Sequence, residues 1–159
     1  ALARVANPGD AIALSGPLGA GKTSIARGLL AALGLMEEAP SPSFAIVQPY
    51  DIPDVRLPVA HVDLYRLDDA QEAAELALDE YLQDSLLIIE WPERLGDDPG
   101  RFLGPDRLII HLSEIALDPH SERPQAVGLR EPDDRASPGR LATVYGVGAW
   151  EARLKELHV

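Results

Sequence analysis

Residues 16–23, with the sequence GPLGAGKT, constrain the fold of this chain more than any other segment. They satisfy the pattern G-x-x-x-x-G-K-[ST], in which glycines let the backbone turn sharply and bring its N–H groups up to phosphate oxygens. An apolar run at residues 11–14 precedes the pattern, and apolar residues at helical spacing follow it as far as Leu33. This order predicts a buried strand, a phosphate-binding loop and a helix whose positive amino end faces the anion.

The loop pattern also assigns roles to individual residues. Lys22 is predicted to reach the β- and γ-phosphates of a nucleotide, and the Thr23 hydroxyl is predicted to bind Mg²⁺. Further nucleotide contacts are predicted along the loop, at Gly16, Gly19, Ala20, Gly21 and Ser24. Guanine recognition usually relies on an N-K-x-D segment, but the single asparagine, Asn7, is not followed by lysine. The expected ligand is therefore ATP with Mg²⁺.

The rest of the chain alternates between strand-like and helix-like patterns. Strands are predicted at residues 44–47, 59–62, 86–89, 107–112 and 125–129, with a loop at 131–139. Helices are predicted from Asp69, a capping residue, to about residue 82, and over residues 146–157 with Trp150 in the core. These elements predict an α/β fold, a P-loop NTPase-like mixed, mostly parallel sheet flanked by helices. We expect a single domain over residues 1–159 with a trimmed amino terminus.

Two acidic residues follow predicted strands at the point where each strand ends. Glu90 comes directly after residues 86–89, and Asp63 comes directly after residues 59–62. Open α/β sheets bind their ligands at the carboxyl ends of their strands. The sequence therefore predicts Glu90 as a metal ligand and both carboxylates as catalytic residues with Lys22. His61, on an apolar strand, is interpreted as a core or edge residue.

The distribution of charge and the residue composition exclude several classes of function. The net charge is −12, and residues 37–98 alone hold 16 acidic residues against three arginines. Because nucleic acids are bound by clustered Lys and Arg, no autonomous nucleic-acid binding is expected. No apolar run approaches the roughly 18 residues of a membrane helix, so no membrane association is expected. The absence of cysteine is compatible with a reducing cytoplasm.

Four segments, in this order, resemble the bacterial TsaE family: GPLGAGKT at residues 16–23, SPSF at 41–44, HVDLYRL at 61–67 and IEWPE at 89–93. The family consists of small ATPases that assist threonylcarbamoyladenosine formation on transfer RNA. The resemblance covers about residues 10–95. It implies an ATPase that is weak alone, works with the TsaD and TsaB proteins and meets tRNA only through their complex.

The resemblance implies the same roles for Lys22, Thr23 and Glu90, and it places Asp63 near the γ-phosphate or the attacking water. It further implies a switch-like loop that senses the nucleotide state, formed by Ser41, Ser43 and Phe44. Trp91 becomes a candidate for stacking beside the nucleotide. Independently of the resemblance, Arg123 is a candidate nucleotide contact from a later strand.

Two other functions fit the same loop. One is a small-molecule kinase, for which residues 101–140 could supply an arginine-bearing lid. The other is a nucleotide sensor or scaffold that binds ATP without hydrolysing it. The acidic middle of the chain suits an interaction surface under all three functions, so the charge does not discriminate among them.

Overall fold

The computed structural model describes residues 1–42, 46–115 and 139–157 of the chain. Within these ranges, six strands form one sheet: β1 (Ala11–Ser15), β2 (Val47–Tyr50), β3 (Val59–Asp63), β4 (Leu86–Glu90), β5 (Arg107–Glu114) and β6 (Arg140–Val147). The described helices are α1 (Leu2–Val5), α2 (Lys22–Ala32), α3 (Ala70–Glu75), α4 (Leu78–Leu82), α5 (Gly100–Leu103) and α6 (Ala149–Glu156), with a 3₁₀ helix at Pro92–Leu95.

The sheet has the order β2-β3-β4-β1-β5-β6 and is mixed but mostly parallel. Strands β3, β4, β1 and β5 run parallel to one another, whereas β2 and β6 pair antiparallel at the two edges. The central strands β1, β3 and β4 are buried along their whole length. Continuous burial is typical of parallel strands covered on both faces. The predicted fold class is confirmed.

Successive side chains of the central strands supply two separate cores. In β1, Ile12 and Leu14 pack with helix α2 on one face of the sheet. Ala11 and Ala13 pack with helices α3 to α5 on the other face. This alternation follows from the two-residue period of a strand, and it explains why these runs are apolar throughout.

Helix α6 closes the first core. Trp150 is fully buried there, which confirms its predicted core position. One turn later, Arg153 donates a hydrogen bond to the buried carboxylate of Asp10, just before β1. Burial raises the pKa of Asp10, while hydrogen bonds from Asn7 and Arg153 oppose the rise. The end of the described chain is thereby tied to the start of the central strand.

Of the strand predicted at residues 44–47, residues 44 and 45 lie outside the described residues, and the prediction is wrong at Ile46. Ile46 has a φ of 65° and donates its N–H to the Pro42 carbonyl at 2.7 Å, so it is not part of a strand. Strand β2 begins at Val47 and continues through Pro49. A proline is tolerated because β2 is an edge strand with β3 as its only partner in the described sheet.

The single helix predicted over residues 69–82 is divided into α3 and α4. Asp69 caps α3 as predicted, accepting from the N–H groups of Gln71 and Glu72. The break lies at Ala77, whose φ is 49°. In an unbroken helix Ala73 and Leu78 would point about 140° apart. With the break, both are buried in the same core.

The carboxyl-terminal part of the chain also departs from its prediction. The predicted strand at residues 125–129 and nearly all of the predicted loop at 131–139 lie outside the described residues. The helix predicted from residue 146 begins at Ala149, because Gly146 and Val147 still pair with β5. Asp106 then accepts the Ala149 N–H at 2.7 Å and so caps α6 from a distant position in the sequence. Strand β6 itself was not predicted.

Candidate functional site

The site lies at the edge of the sheet where the parallel strands have their carboxyl ends. Glu90, the last residue of β4, is level with Leu14 of β1 on one side and with Asp63 of β3 on the other. The loop at residues 16–21 leaves β1 at this same edge and leads into α2. The parallel register therefore places the two predicted carboxylates beside the predicted phosphate loop.

The loop conformation depends on its glycines. Gly16, Gly19 and Gly21 have φ values of 132°, 76° and 104°, a region that favours glycine. At Gly16 a side chain is also excluded by space, because a Cβ would lie 2.4 Å from the Leu112 carbonyl oxygen. The hydroxyl of Ser15, just before the loop, lies 2.8 Å from Nδ1 of the His111 ring. The start of the loop is thus held against β5.

The Lys22 ammonium is folded back across the loop. It donates to the Gly16 carbonyl at 2.7 Å and to the Pro17 carbonyl at 2.9 Å. It also lies 3.6 Å from the centre of the Trp91 ring, a cation–π contact. Burial lowers the pKa of Lys22, and the carboxylates of Glu90, Glu93 and Asp63 oppose that shift. The groups in direct contact with the ammonium are neutral: two backbone carbonyls and an aromatic ring.

Glu90 is the centre of a buried hydrogen-bonded chain. The Thr23 hydroxyl donates to its Oε2 at 2.7 Å, and His61 Nε2 lies 2.9 Å from its Oε1. His61 is fully buried, and its Nδ1 has no hydrogen-bond partner among the described residues. The prediction that His61 is a core residue is confirmed, and the structure adds its contact with Glu90.

Asp63 and Trp91 complete the floor of the site. Asp63 is buried and accepts the Tyr65 N–H at 3.0 Å through Oδ1. Trp91 follows Glu90 with a φ of 62°, a left-handed conformation that is unusual for a bulky residue. Its ring is stacked at a tilt on Tyr65, with the ring centres 5.1 Å apart. This conformation turns the indole from the end of β4 towards Lys22.

A cavity of about 510 Å³ brings most of the predicted residues together. From the phosphate loop and α2 it is lined by Gly19, Gly21, Lys22, Thr23 and Ser24. From the strand ends it is lined by Asp63, Glu90 and Trp91. This volume lies within the range of small-molecule sites.

Some predicted residues lie elsewhere. Gly16 lines a neighbouring groove beyond Trp91. The Ala20 methyl is buried in the first core, and its N–H donates to the Pro17 carbonyl. Ser41 is exposed and does not line the cavity. Ser43, Phe44 and Arg123 are outside the described residues.

Sequence reasoning missed several residues of the cavity wall. Leu18, Tyr65, Arg66 and Arg140 also line it. Arg140 is the first residue of β6, the strand that was not predicted. The available signal was the run of β-branched and aromatic residues Thr143, Val144 and Tyr145, which are enriched in strands. Its position beside the loop depends on the antiparallel pairing with β5, which periodicity alone does not reveal.

The donors in the cavity fit a hard divalent cation. Within the described ranges, no group of three or more His, Cys, Asp or Glu side chains is placed to hold a metal by itself. The two predicted protein ligands, the Thr23 hydroxyl and the Glu90 carboxylate, are oxygen donors of the kind Mg²⁺ prefers. Mg²⁺ is commonly held by one or two carboxylates together with substrate phosphates and water. The donor set is thus compatible with Mg²⁺ if phosphates complete the coordination.

In the part of the chain that the structure describes, no helix combines the length and apolar character needed to cross a bilayer.

Comparison with known proteins identifies the family. The family model described as "Threonylcarbamoyl adenosine biosynthesis protein TsaE" matches residues 1–122. The chain is 36% identical to the tRNA threonylcarbamoyladenosine biosynthesis protein TsaE of Bacillus subtilis, over 80% of this chain and 77% of that protein. It is also 36% identical to the protein of the same name from Streptomyces coelicolor, over 92% of this chain and 86% of that protein.

The Synechocystis protein of the same name is 41% identical over 58% of this chain and 60% of its own length. The family match begins before β1 and extends past β5, so it includes the phosphate loop, Asp63 and Glu90. With this coverage, the chain belongs to the TsaE family.

Proposed function

We propose that this protein is a Mg²⁺-dependent ATP-binding and ATP-hydrolysing accessory protein in tRNA threonylcarbamoyladenosine biosynthesis. The observation that carries the proposal is the convergence of Lys22, Thr23 and Glu90 on one cavity at the amino end of α2. A cation, a hydroxyl and a carboxylate at a glycine-rich loop are what a metal–triphosphate complex requires.

Binding of the triphosphate is supported by the electrostatics of the loop. The N–H groups in the first turn of α2 have no partner within the helix, and the helix dipole adds positive potential at this end. The Lys22 ammonium contacts two carbonyls and an aromatic face in the free protein. Phosphate oxygens are stronger acceptors for an ammonium than these neutral groups. ATP would therefore draw Lys22 away from its present contacts.

Thr23 and Glu90 are the residues that would hold Mg²⁺. Their hydrogen bond of 2.7 Å keeps both oxygens side by side at the cavity wall. Bound Mg²⁺ would neutralise charge on the phosphates and on the developing products of phosphoryl transfer. Asp63 is level with Glu90 across β3 and β4 and lines the same cavity. We propose that it orients a water molecule there.

The partners follow from the family rather than from the cavity. The relatives in Bacillus subtilis and Streptomyces coelicolor are named for tRNA threonylcarbamoyladenosine biosynthesis. We propose that this chain acts there with the TsaD and TsaB proteins in the cytoplasm, and that it meets tRNA only through their complex. The excess of acidic residues supports this indirect contact, because a tRNA backbone would be repelled by residues 37–98.

The proposal is tested by reconstitution with the TsaD and TsaB proteins, tRNA and Mg²⁺, with and without ATP. Lys22→Ala is compared with Lys155→Ala, which removes the only other lysine from an exposed position on α6. We expect ATP-dependent assembly, turnover and tRNA modification with the wild type and Lys155→Ala, and their loss with Lys22→Ala. Normal assembly and modification by Lys22→Ala would contradict the proposal.

The same preparation distinguishes the two other functions. A kinase would transfer the γ-phosphate to a member of a panel of hydroxyl-bearing metabolites, which is detected as a phosphorylated product. A non-hydrolysing sensor would show the same low phosphate release in the wild type and in Glu90→Gln. The proposed ATPase transfers the γ-phosphoryl group to water, and its release of phosphate is lost when Glu90 is changed.

A further inference from the structure

The start of the phosphate loop is held to β5 by a side chain as well as by strand pairing. Ser15 is the last residue of β1, and it is level with His111 in the last pair that the described β1 and β5 form. The Ser15 side chain is buried, and its hydroxyl lies 2.8 Å from Nδ1 of the His111 ring. This contact therefore lies at the junction where the paired strand ends and the loop begins.

The next residue of the loop extends the contact with β5. A Cβ on Gly16 would lie 2.4 Å from the Leu112 carbonyl oxygen, so the Gly16 backbone is packed directly against the residue that follows His111. The Gly16 carbonyl in turn accepts a hydrogen bond from the Lys22 ammonium at 2.7 Å. A continuous series of contacts thus leads from His111, through Ser15 and Gly16, to the ammonium of the proposed triphosphate site.

His111 itself lies outside the nucleotide cavity. It is exposed on β5 and lines the neighbouring groove beyond Trp91. The described residues that line the cavity do not include it. Any effect of His111 on a bound nucleotide is therefore indirect, through Ser15 and the loop.

From this arrangement we infer that His111 is a positioning residue, which acts through Ser15 to hold the phosphate loop in the form that binds nucleotide. The inference rests on the proposed function, since it concerns the same site. When only a fraction of the molecules has a binding-competent form, the observed affinity is reduced by that fraction. His111 raises the competent fraction before the nucleotide arrives, so it lowers the dissociation constant without contacting the phosphates.

This contact keeps its importance after the nucleotide has bound. In the proposed function, ATP draws Lys22 away from the two loop carbonyls that the ammonium contacts in the free protein. The start of the loop then loses two hydrogen bonds. The contact between Ser15 and His111 does not involve the ammonium, so it continues to hold the loop against β5.

The inference separates the binding of nucleotide from the chemical step. At saturating ATP the nucleotide itself selects the competent form, so turnover no longer depends on His111. Backbone N–H groups of this loop pattern cradle the α- and β-phosphates, which ATP and ADP share, so the affinities for both should change alike. The net contribution of an ordinary hydrogen bond corresponds to roughly 2- to 10-fold in such an equilibrium.

The test uses the full chain. Calorimetry gives the dissociation constants of MgATP and MgADP, and phosphate release in the reconstituted system with the TsaD and TsaB proteins gives KM and kcat. His111→Phe removes both ring nitrogens, and Ser15→Ala removes the hydroxyl. We expect each to raise both dissociation constants and the KM for ATP by about 2- to 10-fold and to leave kcat within about twofold.

Thr143→Val is the matched control, because Thr143 is opposite His111 on β6, away from the loop. It should change none of these values. An equal loss of affinity in Thr143→Val would overturn the inference. So would a fall in the melting temperature of His111→Phe with unchanged affinities, which would assign His111 a role in stability alone.

Two amide substitutions test the geometry of the contact. The amide of His111→Asn takes the position of Nδ1, whereas that of His111→Gln lies one carbon further out, near the position of Nε2. An amide can donate or accept, so the comparison holds whichever ring nitrogen carries the proton. We expect His111→Asn to keep both affinities within about twofold of the wild type and His111→Gln to match His111→Phe. Equal affinities in the two amide variants would contradict the inference.

A double-mutant cycle tests whether His111 acts through Ser15. Residues that share one contact have non-additive effects. Combining Ser15→Ala with His111→Phe should therefore weaken binding no more than either change alone. If the two losses add, His111 acts by another route and the inference is wrong.

A parallel titration of Lys22→Ala separates the two proposals. If Lys22→Ala abolishes binding and His111→Phe binds both nucleotides like the wild type, the proposed function stands and the inference on His111 is wrong. If the wild type binds neither nucleotide, the proposed function and the inference fail together.

Discussion

His61 holds Glu90 from beneath the candidate site, with Nε2 of the ring 2.9 Å from Oε1 of the carboxylate. Both side chains are buried, and the other carboxylate oxygen accepts the Thr23 hydroxyl. Because a carboxylate only accepts, we assign the proton of this hydrogen bond to Nε2. Partners of this kind orient metal ligands in many proteins. We therefore regard His61 as a positioning residue that acts through Glu90.

Replacing His61 with Phe should weaken the response to Mg²⁺. A planar ring is kept at this position, but Glu90 loses the donor that fixes its Oε1, and loss of such a partner typically costs 10- to 100-fold in metal affinity or activity. We expect the Mg²⁺ concentration for half-maximal ATP turnover to rise by about this factor, measured by phosphate release across a Mg²⁺ titration.

His61→Gln is the matched control, because its amide N–H can donate from nearly the same point as Nε2. It should restore most of the Mg²⁺ response. Equal Mg²⁺ requirements for the wild type and His61→Phe would show that His61 has only a packing role.

Glu90→Gln should separate nucleotide binding from hydrolysis. The amide keeps the size of the side chain and can still contact Thr23 and His61, but it removes the negative charge from the proposed metal site. We expect phosphate release to fall by about 100-fold or more, as is usual when a catalytic charge is removed. ATP affinity, measured by calorimetry, should change by less than about tenfold. Phosphate release at the wild-type rate in Glu90→Gln would show that the negative charge of Glu90 is not needed for hydrolysis.

Two glycines offer a matched pair for testing the geometry of the loop. Gly16→Ala would force a Cβ to within 2.4 Å of the Leu112 carbonyl oxygen at a φ of 132°. We expect it to lower the free energy of unfolding by about 1–3 kcal/mol and to abolish nucleotide binding. Gly28→Ala, on the exposed face of α2, meets no atom within 4 Å and should raise that free energy by up to about 1 kcal/mol. Urea denaturation measures the free energy of unfolding of both variants. Equal changes in the two would contradict the structure of the loop.

The lowered pKa of Lys22 predicts a proton linkage to binding. A polyphosphate beside the ammonium would raise this pKa, so the complex holds more protons than the free protein between the two values. Affinity should therefore fall as the pH rises through the lowered pKa of the free protein towards 10.5, the ordinary lysine value. Calorimetry in two buffers of different ionisation enthalpy should detect proton uptake in this range. Release of protons on nucleotide binding in this range would contradict the prediction that the polyphosphate raises the pKa of Lys22.

As the pH rises through this range, the free energy of unfolding of the free protein should rise, whereas the nucleotide affinity falls. Because burial disfavours the charged form of Lys22, the unfolded chain binds more protons in the same range, and the free energy of unfolding rises with pH. Lys22→Met has no ammonium to titrate, so the difference between its pH profile and that of the wild type isolates this contribution. Below the lowered pKa the two profiles should run parallel, and between that pKa and 10.5 the wild type should gain stability relative to Lys22→Met; a loss of relative stability there would contradict the stated sign of the shift.

The parts of this protein that could be read from the chain alone are those encoded within a few neighbouring residues. The phosphate loop depends on glycine conformations and on an adjacent helix, and both signals lie within residues 11–33. The buried strands β1 and β4 depend on short apolar runs, and Asp63 and Glu90 follow such runs directly. Parallel strands end at one edge, so the convergence of these carboxylates also follows from local patterns.

The tertiary structure decided the contacts between distant segments. Thr23 and Glu90 are 67 residues apart, and His61 and Glu90 are 29 apart, so no periodicity within a short window encodes their hydrogen bonds. The break at Ala77 arises because two residues five positions apart are buried in one core. Arg140 reaches Gly21 only because β6 pairs antiparallel with β5, and β5 extends three residues beyond its last pair with β1. A sequence pattern reports which face of an element is apolar, whereas pairing and register decide which side chains meet.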